Sequence, residues 1–518
     1  MGKNGETNKN IPWKWMLTVA GTVLFFILLL LMGIREGRQN REEENDYLEK
    51  LQAEQQMAKV GTSGENREEE QAENERKENQ GVSQEDFANL ESETKTDRKE
   101  DTIRVLISVD GTEHYVHSEV RISCPGAYCV KGDFTVQEEA GTELCLSEQM
   151  QPGQTVWVEP TEATTPLTLE SVRRNQGAPA YRGILEVTRE EEGFRIINQV
   201  DLESYLKGVV PSEMPADAPV EALCAQAVCA RTYAVRQIRE QRMAEWNTDV
   251  DDTVSCQVYN NIPEQETSNQ AVDATCGMVM LCGGEPIEAY FFSTSWGYTD
   301  TDEVWDAKKS ASYLKSVAVS HQAVEAMAAG NGAEEQTGTA KQTDISETYF
   351  RELISQTEAG DYEKEDIWYR WKVSIPWEVL KERSERQYPQ IGTFTGLAIQ
   401  ERNPGGGVKM LEIQGDKQSV TLENEYAIRK FLSVKGLSII RNDGSTCNTM
   451  ELLPSACFVI DTGNEQGVDL LVFTGGGYGH GVGMSQNGAK HLAEDGMGWR
   501  EILQVFYQNI TIENLQDF

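Results

Sequence analysis

The chain has 518 residues, is 39% hydrophobic and carries a formal charge of −38. Such a charge excludes a nucleic-acid binder, which needs basic patches to meet phosphates. The length suffices for one large or two ordinary domains, and the ten cysteines contain no CxxC pair.

In chain order, a short tail (1–15) precedes Met16 to Ile34, "MLTVAGTVLFFILLLLMGI". This nearly charge-free run is long enough to cross a bilayer as one helix. A cleavable signal peptide is the competing reading, but Gly33-Ile34-Arg35 is not a small-x-small cleavage site. Lys3, Lys9 and Lys14 before the span balance Arg35, Arg38 and Arg41 after it, so charge alone leaves the orientation open. Residues 35–101 read as a disordered acidic spacer: from Arg41 to Asp101 stand about twenty acids and about nine bases with few aromatics.

Order is expected from "TIRVLISVD", Thr102 to Asp110, whose alternation reads as a strand, and short strands follow to about Ile197. "VDLESYLKGVVPSEMP" predicts a short amphipathic helix that ends in a rigid turn, with Glu213 held between Pro211 and Pro215 outside any helix. Asp217 is the expected N-cap, and Pro219 the first-turn residue, of a helix running to about Gln241. Its face of Leu223, Ala227, Ala230 and Ala234 permits very close packing. A hairpin is predicted at Gly283-Gly284. A surface insertion is read at 327–343, with further strands at "IWYRWKVSI" and "TFTGLAIQERN". The C-terminus reads as strand, glycine loop, helix, helix and strand. The class is α+β with much antiparallel sheet, taking 102–518 as one domain. Cys124 and Cys129 flank a turn able to close a small disulfide loop, and Cys447 and Cys457 are placed to bridge a hairpin. Cys224 and Cys229 lie on different faces of one predicted helix and cannot pair.

Two motifs can carry chemistry. Glu213 at the mouth of a helix is either an electrostatic cap or a general acid, and locked prolines on both sides suit the second role. The flanking Met214 and prolines would raise its pKa by desolvation, whereas a helix N-terminus would lower it. In "GGGYGHGVGMSQNGA", Gly475 to Ala489, alternate glycines around Tyr478 and His480 let the backbone approach a ligand or another strand. A dinucleotide loop fails on length, because only about thirty residues follow, too few for a second βαβ unit. His480 is either an orienting or substrate-binding residue or a hydrogen-bonded structural one. The five histidines form no HExxH, and no G-x-S-x-G elbow is present.

"VDLESYLKGVVPSEMPADAPVEALCAQAVCARTYA" followed by "YGHGVGMSQNGA" resembles the stage II sporulation protein D family. The likeness implies a membrane-anchored, extracytoplasmic peptidoglycan lytic transglycosylase acting in engulfment, on glycan strands already stripped of stem peptides. It places the N-terminus in the cytoplasm and makes Glu213 the catalytic acid/base. It also implies that Gln226, Arg231, Tyr233, Ser293, Ser295, Tyr478, His480, Ser485 and Gln486 contact substrate. For Arg231 a structural ion pair is the alternative. Phe292 stands where the family often has His, and Trp296 where it often has Gly. Some members bind zinc before a C-Q-x-Y stretch; here Cys256 is present but Ser255 replaces the His, so neither metal nor cofactor is expected. Stage II sporulation proteins P, an amidase, and M are the implied partners. Related domains that enhance an amidase without cutting supply the alternative function.

Overall fold

The computed structural model describes residues 102–109, 111, 114–306, 311–328, 346–357 and 360–517. All belong to one compact unit. The span at 16–34 and the spacer at 35–101 lie outside the described residues, as does the insertion at 327–343 apart from its first two positions. No helix among the described residues is long and apolar enough to cross a membrane.

The class is α+β. The described helices are α1 (Leu202–Glu213), α2 (Val220–Glu240), α3 (Glu266–Ala274), α4 (His321–Ala328), α5 (Glu347–Ile354), α6 (Trp377–Gln387), α7 (Glu425–Phe431), α8 (Gln486–Glu494) and α9 (Trp499–Phe506). The largest sheet has seven strands, in spatial order 250–251, 102–106, 194–201, 184–189, 155–160, 128–132 and 136–138. Only its first pair is parallel. A five-stranded antiparallel sheet lies further along the chain, ordered 446–447, 439–441, 371–376, 468–475 and 458–465.

Each of these sheets backs a core. The first core gathers the seven-stranded sheet around α2, of whose 21 residues sixteen are buried. A helix covered on all sides must be largely apolar or small all round, and "ALCAQAVCA" is, apart from Gln226. The second core is built from residues 368–478. The chain passes from the second core back to the first through the glycine loop, with Tyr478 in one and Val482 in the other.

Three expectations need correction. Pro211 lies inside α1, and Glu213 is that helix's last residue rather than a turn residue before the next. Proline forfeits one backbone bond, and in a last turn the loss is local. The carbonyl left without its helical donor is that of Lys207, four residues back, while the next carbonyl, Gly208, accepts from Ser212 Oγ at 2.8 Å and from the Asn260 backbone amide at 3.1 Å. The N-cap of α2 is Pro219, with no side-chain capping bond; Asp217 stays exposed. The ten cysteines are all free thiols, so neither proposed disulfide is formed. The hairpin at Gly283-Gly284 forms with both glycines at positive φ. The strands expected around 371–376 and 394–402 are also present.

Candidate functional site

Asp201 caps α1, its Oδ1 accepting from the Ser204 amide at 2.9 Å, and the helix delivers Glu213 half-buried at its C-terminal end. That end of a helix carries partial negative charge, so the electrostatic help expected from an N-terminus is absent. Instead the Val258 amide donates to Glu213 Oε1 at 2.7 Å. Ser212 prepares this contact, because its Oγ accepts from the amides of Asn261 and Ile262, each at 3.1 Å. The segment bearing Val258 is thereby tied to the helix bearing Glu213.

Gln486, from the first turn of α8, closes the other side. Its Nε2 donates to the carbonyl of Glu213 at 3.0 Å and to Gln226 Oε1 at 3.4 Å. Gln226, on α2, is fully buried, and its Nε2 has no hydrogen-bond partner among the described residues. Glu213, Gln226 and Gln486 thus meet although up to 273 positions separate them.

The other expected residues divide into separate groups. Arg231 is fully buried in a two-point ion pair with Glu203, at 2.8 Å and 2.7 Å, and also donates to the carbonyls of Val272 and Met278. Of its two readings this geometry displays the structural one. Tyr233 packs its ring against Tyr290, and burial pushes its phenol well up. His480 sits among the rings of Tyr290, Phe292 and Trp305, with centroids 6.3, 5.8 and 5.0 Å away. Its Nδ1 accepts from the Val482 amide at 3.1 Å, and burial pushes its pKa down to about 3, so the ring is neutral. Tyr478 stacks on Trp368 within the second core.

Ser293, Ser295 and Ser485 come together where the glycine loop meets the segment 291–300. Phe291 and Phe292 pair with Met484 and Ser485, and Thr294 exchanges backbone bonds with Tyr478. The close partner of the glycine loop is therefore another stretch of this chain. At Gly483 φ is +78°, and a Cβ would lie 2.0 Å from the carbonyl oxygen of Tyr290, so only glycine fits. The carbonyl of Ser293 accepts from the Asn487 amide at 3.0 Å. Ser295 and Ser485 both bond Glu363, a buried carboxylate that burial pushes up to about 7. Glu363 was not anticipated: it stands in the acidic run "DYEKED", which reads as surface.

The two departures from the family pattern fill core space. Phe292 abuts His480, and Trp296 packs on Phe350 while its Nε1 donates to the Gly405 carbonyl at 2.9 Å. Burial pushes the Cys256 thiol well up, and it bonds Tyr233. Among the described residues no three His, Cys, Asp or Glu side chains converge as a metal site.

Comparison with known proteins now bears on this geometry. A family model described as stage II sporulation protein matches residues 190–281, and a domain family of unknown function matches 299–483. The first match contains Glu213, Gln226 and Val258. Stage II sporulation protein D of Bacillus subtilis is 28% identical over 346 residues, covering 63% of this chain and 79% of that protein. Its namesake in Bacillus amyloliquefaciens is 27% identical over 394 residues, covering 73% and 92%. A Bacillus subtilis protein named amidase enhancer is 27% identical over 319 residues, which cover 59% of this chain but only 40% of that protein. Residues 190–281 therefore match the stage II sporulation protein family model, and the chain is similar to stage II sporulation protein D across much of its length.

Proposed function

We propose that the protein is a lytic transglycosylase that cuts the MurNAc–GlcNAc bond of peptide-free peptidoglycan strands during endospore engulfment. The observation that carries this reading is the fixing of Glu213. Its carboxylate is held by the Val258 amide and its backbone by Gln486, so the residue is fixed at both side chain and main chain. General acid catalysis demands position first.

The chemistry accounts for a single acid. Hydrolysis by water uses two carboxylates, one to protonate the leaving oxygen and one to activate water or attack. A lytic transglycosylase uses the C6 hydroxyl of the same sugar, already beside C1, and proximity replaces the second carboxylate. Glu213 protonates the glycosidic oxygen as the C1–O bond breaks, then accepts the C6 hydroxyl proton as the C6–O–C1 bond forms. The product ends in 1,6-anhydroMurNAc. No cofactor takes part. Met16 to Ile34 anchors the chain, the spacer carries the folded part away from the bilayer, and the domain acts outside the cytoplasm. Stage II sporulation proteins P and M are its partners, the first stripping the stem peptides beforehand.

A second reading rests on the relative named amidase enhancer: the site holds glycan for an amidase without cutting it. The test is to incubate the full-length protein and Glu213→Gln with peptide-free strands and analyse the products by mass spectrometry. Anhydro-ended fragments from the unaltered protein alone support the transglycosylase. Intact strands with binding retained support the enhancer. Hydrolysed ends point to a second carboxylate and refute the single-acid mechanism.

A further inference from the structure

Glu363 is fully buried, and its carboxylate accepts from the Ser295 amide at 2.8 Å, the Ser295 hydroxyl, and the Ser485 hydroxyl at 2.6 Å. Among the described residues no cation pairs with it, and the charge that acts on it, Asp366, has its own sign. Burying such a group is unfavourable, and apolar side chains of similar volume would pack the same space more cheaply. Its placement has to be explained by what it holds.

It holds two strips of chain that meet at the Glu213 site. Ser485 is the N-cap of α8: the hydroxyl bonded to Glu363 also accepts from the Gly488 amide at 3.2 Å. The next residue is Gln486, which reaches the Glu213 carbonyl. Ser295 belongs to the segment on which α8 is docked, through the Ser293 carbonyl and the Asn487 amide. Glu363 itself comes from the stretch matched to the domain of unknown function, 150 residues beyond Glu213 in the chain.

We propose that Glu363 is a positioning residue for the Glu213 site: it clamps Ser295 to Ser485 and so sets the start of α8, from which Gln486 fixes the backbone of Glu213. The site is consequently assembled by both matched stretches, and the second stretch supplies the clamp. The inference rests on reading Glu213 as the centre of the functional site. It holds whether that site cuts glycan or only binds it. As an acceptor-only group the ionised carboxylate serves all three donors, whereas the protonated form must turn one hydroxyl round. Asp366, bonded in turn to His491 at 3.0 Å, is the ionisable neighbour that bears on this titration.

The test uses the full-length protein, Glu363→Gln and Glu363→Ala, with three readouts: amide hydrogen exchange across 485–489, affinity for peptide-free glycan strands, and the rate of strand cleavage against pH. Glu363→Gln should raise exchange at Gly488 and Ala489 and lower kcat/KM, each roughly tenfold, mainly through kcat. The wild-type rate should rise through pH about 7, an inflection that Glu363→Gln abolishes. Native exchange and a native pH profile in Glu363→Ala would overturn the proposal. Should both Glu363 variants fail to fold, Ser295→Ala and Ser485→Ala each remove one donor; faster α8 exchange in both supports the clamp, and unchanged exchange refutes it. If the unaltered protein cuts no strand, the transglycosylase reading falls, while exchange across 485–489 still decides the role of Glu363.

Discussion

Glu213→Gln keeps the Val258 contact available but removes the transferable proton. Strand cleavage should fall by about 10²–10⁴-fold with glycan affinity little changed, as product analysis and a binding isotherm would report. Arg231 predicts the opposite pattern. Arg231→Met strands Glu203 beside an apolar core and should lower stability by about 3 kcal/mol in denaturant unfolding, whereas adding Glu203→Leu should recover part of it. Glu213, Gln226 and Gln486 were legible because side chains of a defined type recur in a recognisable order. Val258 was not legible, since its contribution is a backbone amide that any residue but proline could supply. Glu363 was hidden for another reason. One glutamate in an acid-rich stretch looks like a solvated face until the fold buries it.

For α1, proline rules foretold an end too early. They hold for a helix interior, but Pro211 sits in the last turn, where the one missing bond, to the Lys207 carbonyl four residues back, is tolerated. Hydrophobic and small-residue patterning located α2 and nearly both its ends, since burial on all sides demands that composition. The glycine loop makes a sharper claim testable. Gly483 and Gly496 both have positive φ, but a Cβ at Gly496 meets nothing within 4 Å. Gly496→Ala should therefore cost about 1 kcal/mol of backbone strain alone. Gly483→Ala adds a clash with the Tyr290 carbonyl and should cost more than about 3 kcal/mol or prevent folding. Denaturant midpoints of the two variants compare strain alone with strain plus collision.

For the molecule as a whole, two buried carboxylates link stability to pH. Burial pushes both Glu363 and Asp300 up to about 7, Asp300 being held by the amides of Thr301, Gly405 and Gly407. Their folded values exceed their ordinary 4.5 and 3.8, so the native state binds more protons between those values and about 7. Stability should fall as pH rises through that window, by roughly 3–4 kcal/mol per group. His480, held near 3, acts in the opposite sense below 6.5. Comparing Glu363→Gln and Asp300→Asn with the unaltered protein at pH 5 and 7.5 isolates the carboxylate share: each variant should flatten the slope. By itself the sequence determined the α+β class, the buried helix and the likeness to the stage II sporulation protein D family, because composition, periodicity and short spacing are local properties of a chain. Tertiary structure alone decided that Arg231 serves Glu203, that Tyr478 belongs to the second core, and that Glu363 grips Ser295 and Ser485. Those partners stand 28 to 122 positions apart. No local pattern encodes such pairings: they exist only once two cores have closed and excluded the water that would otherwise satisfy each group.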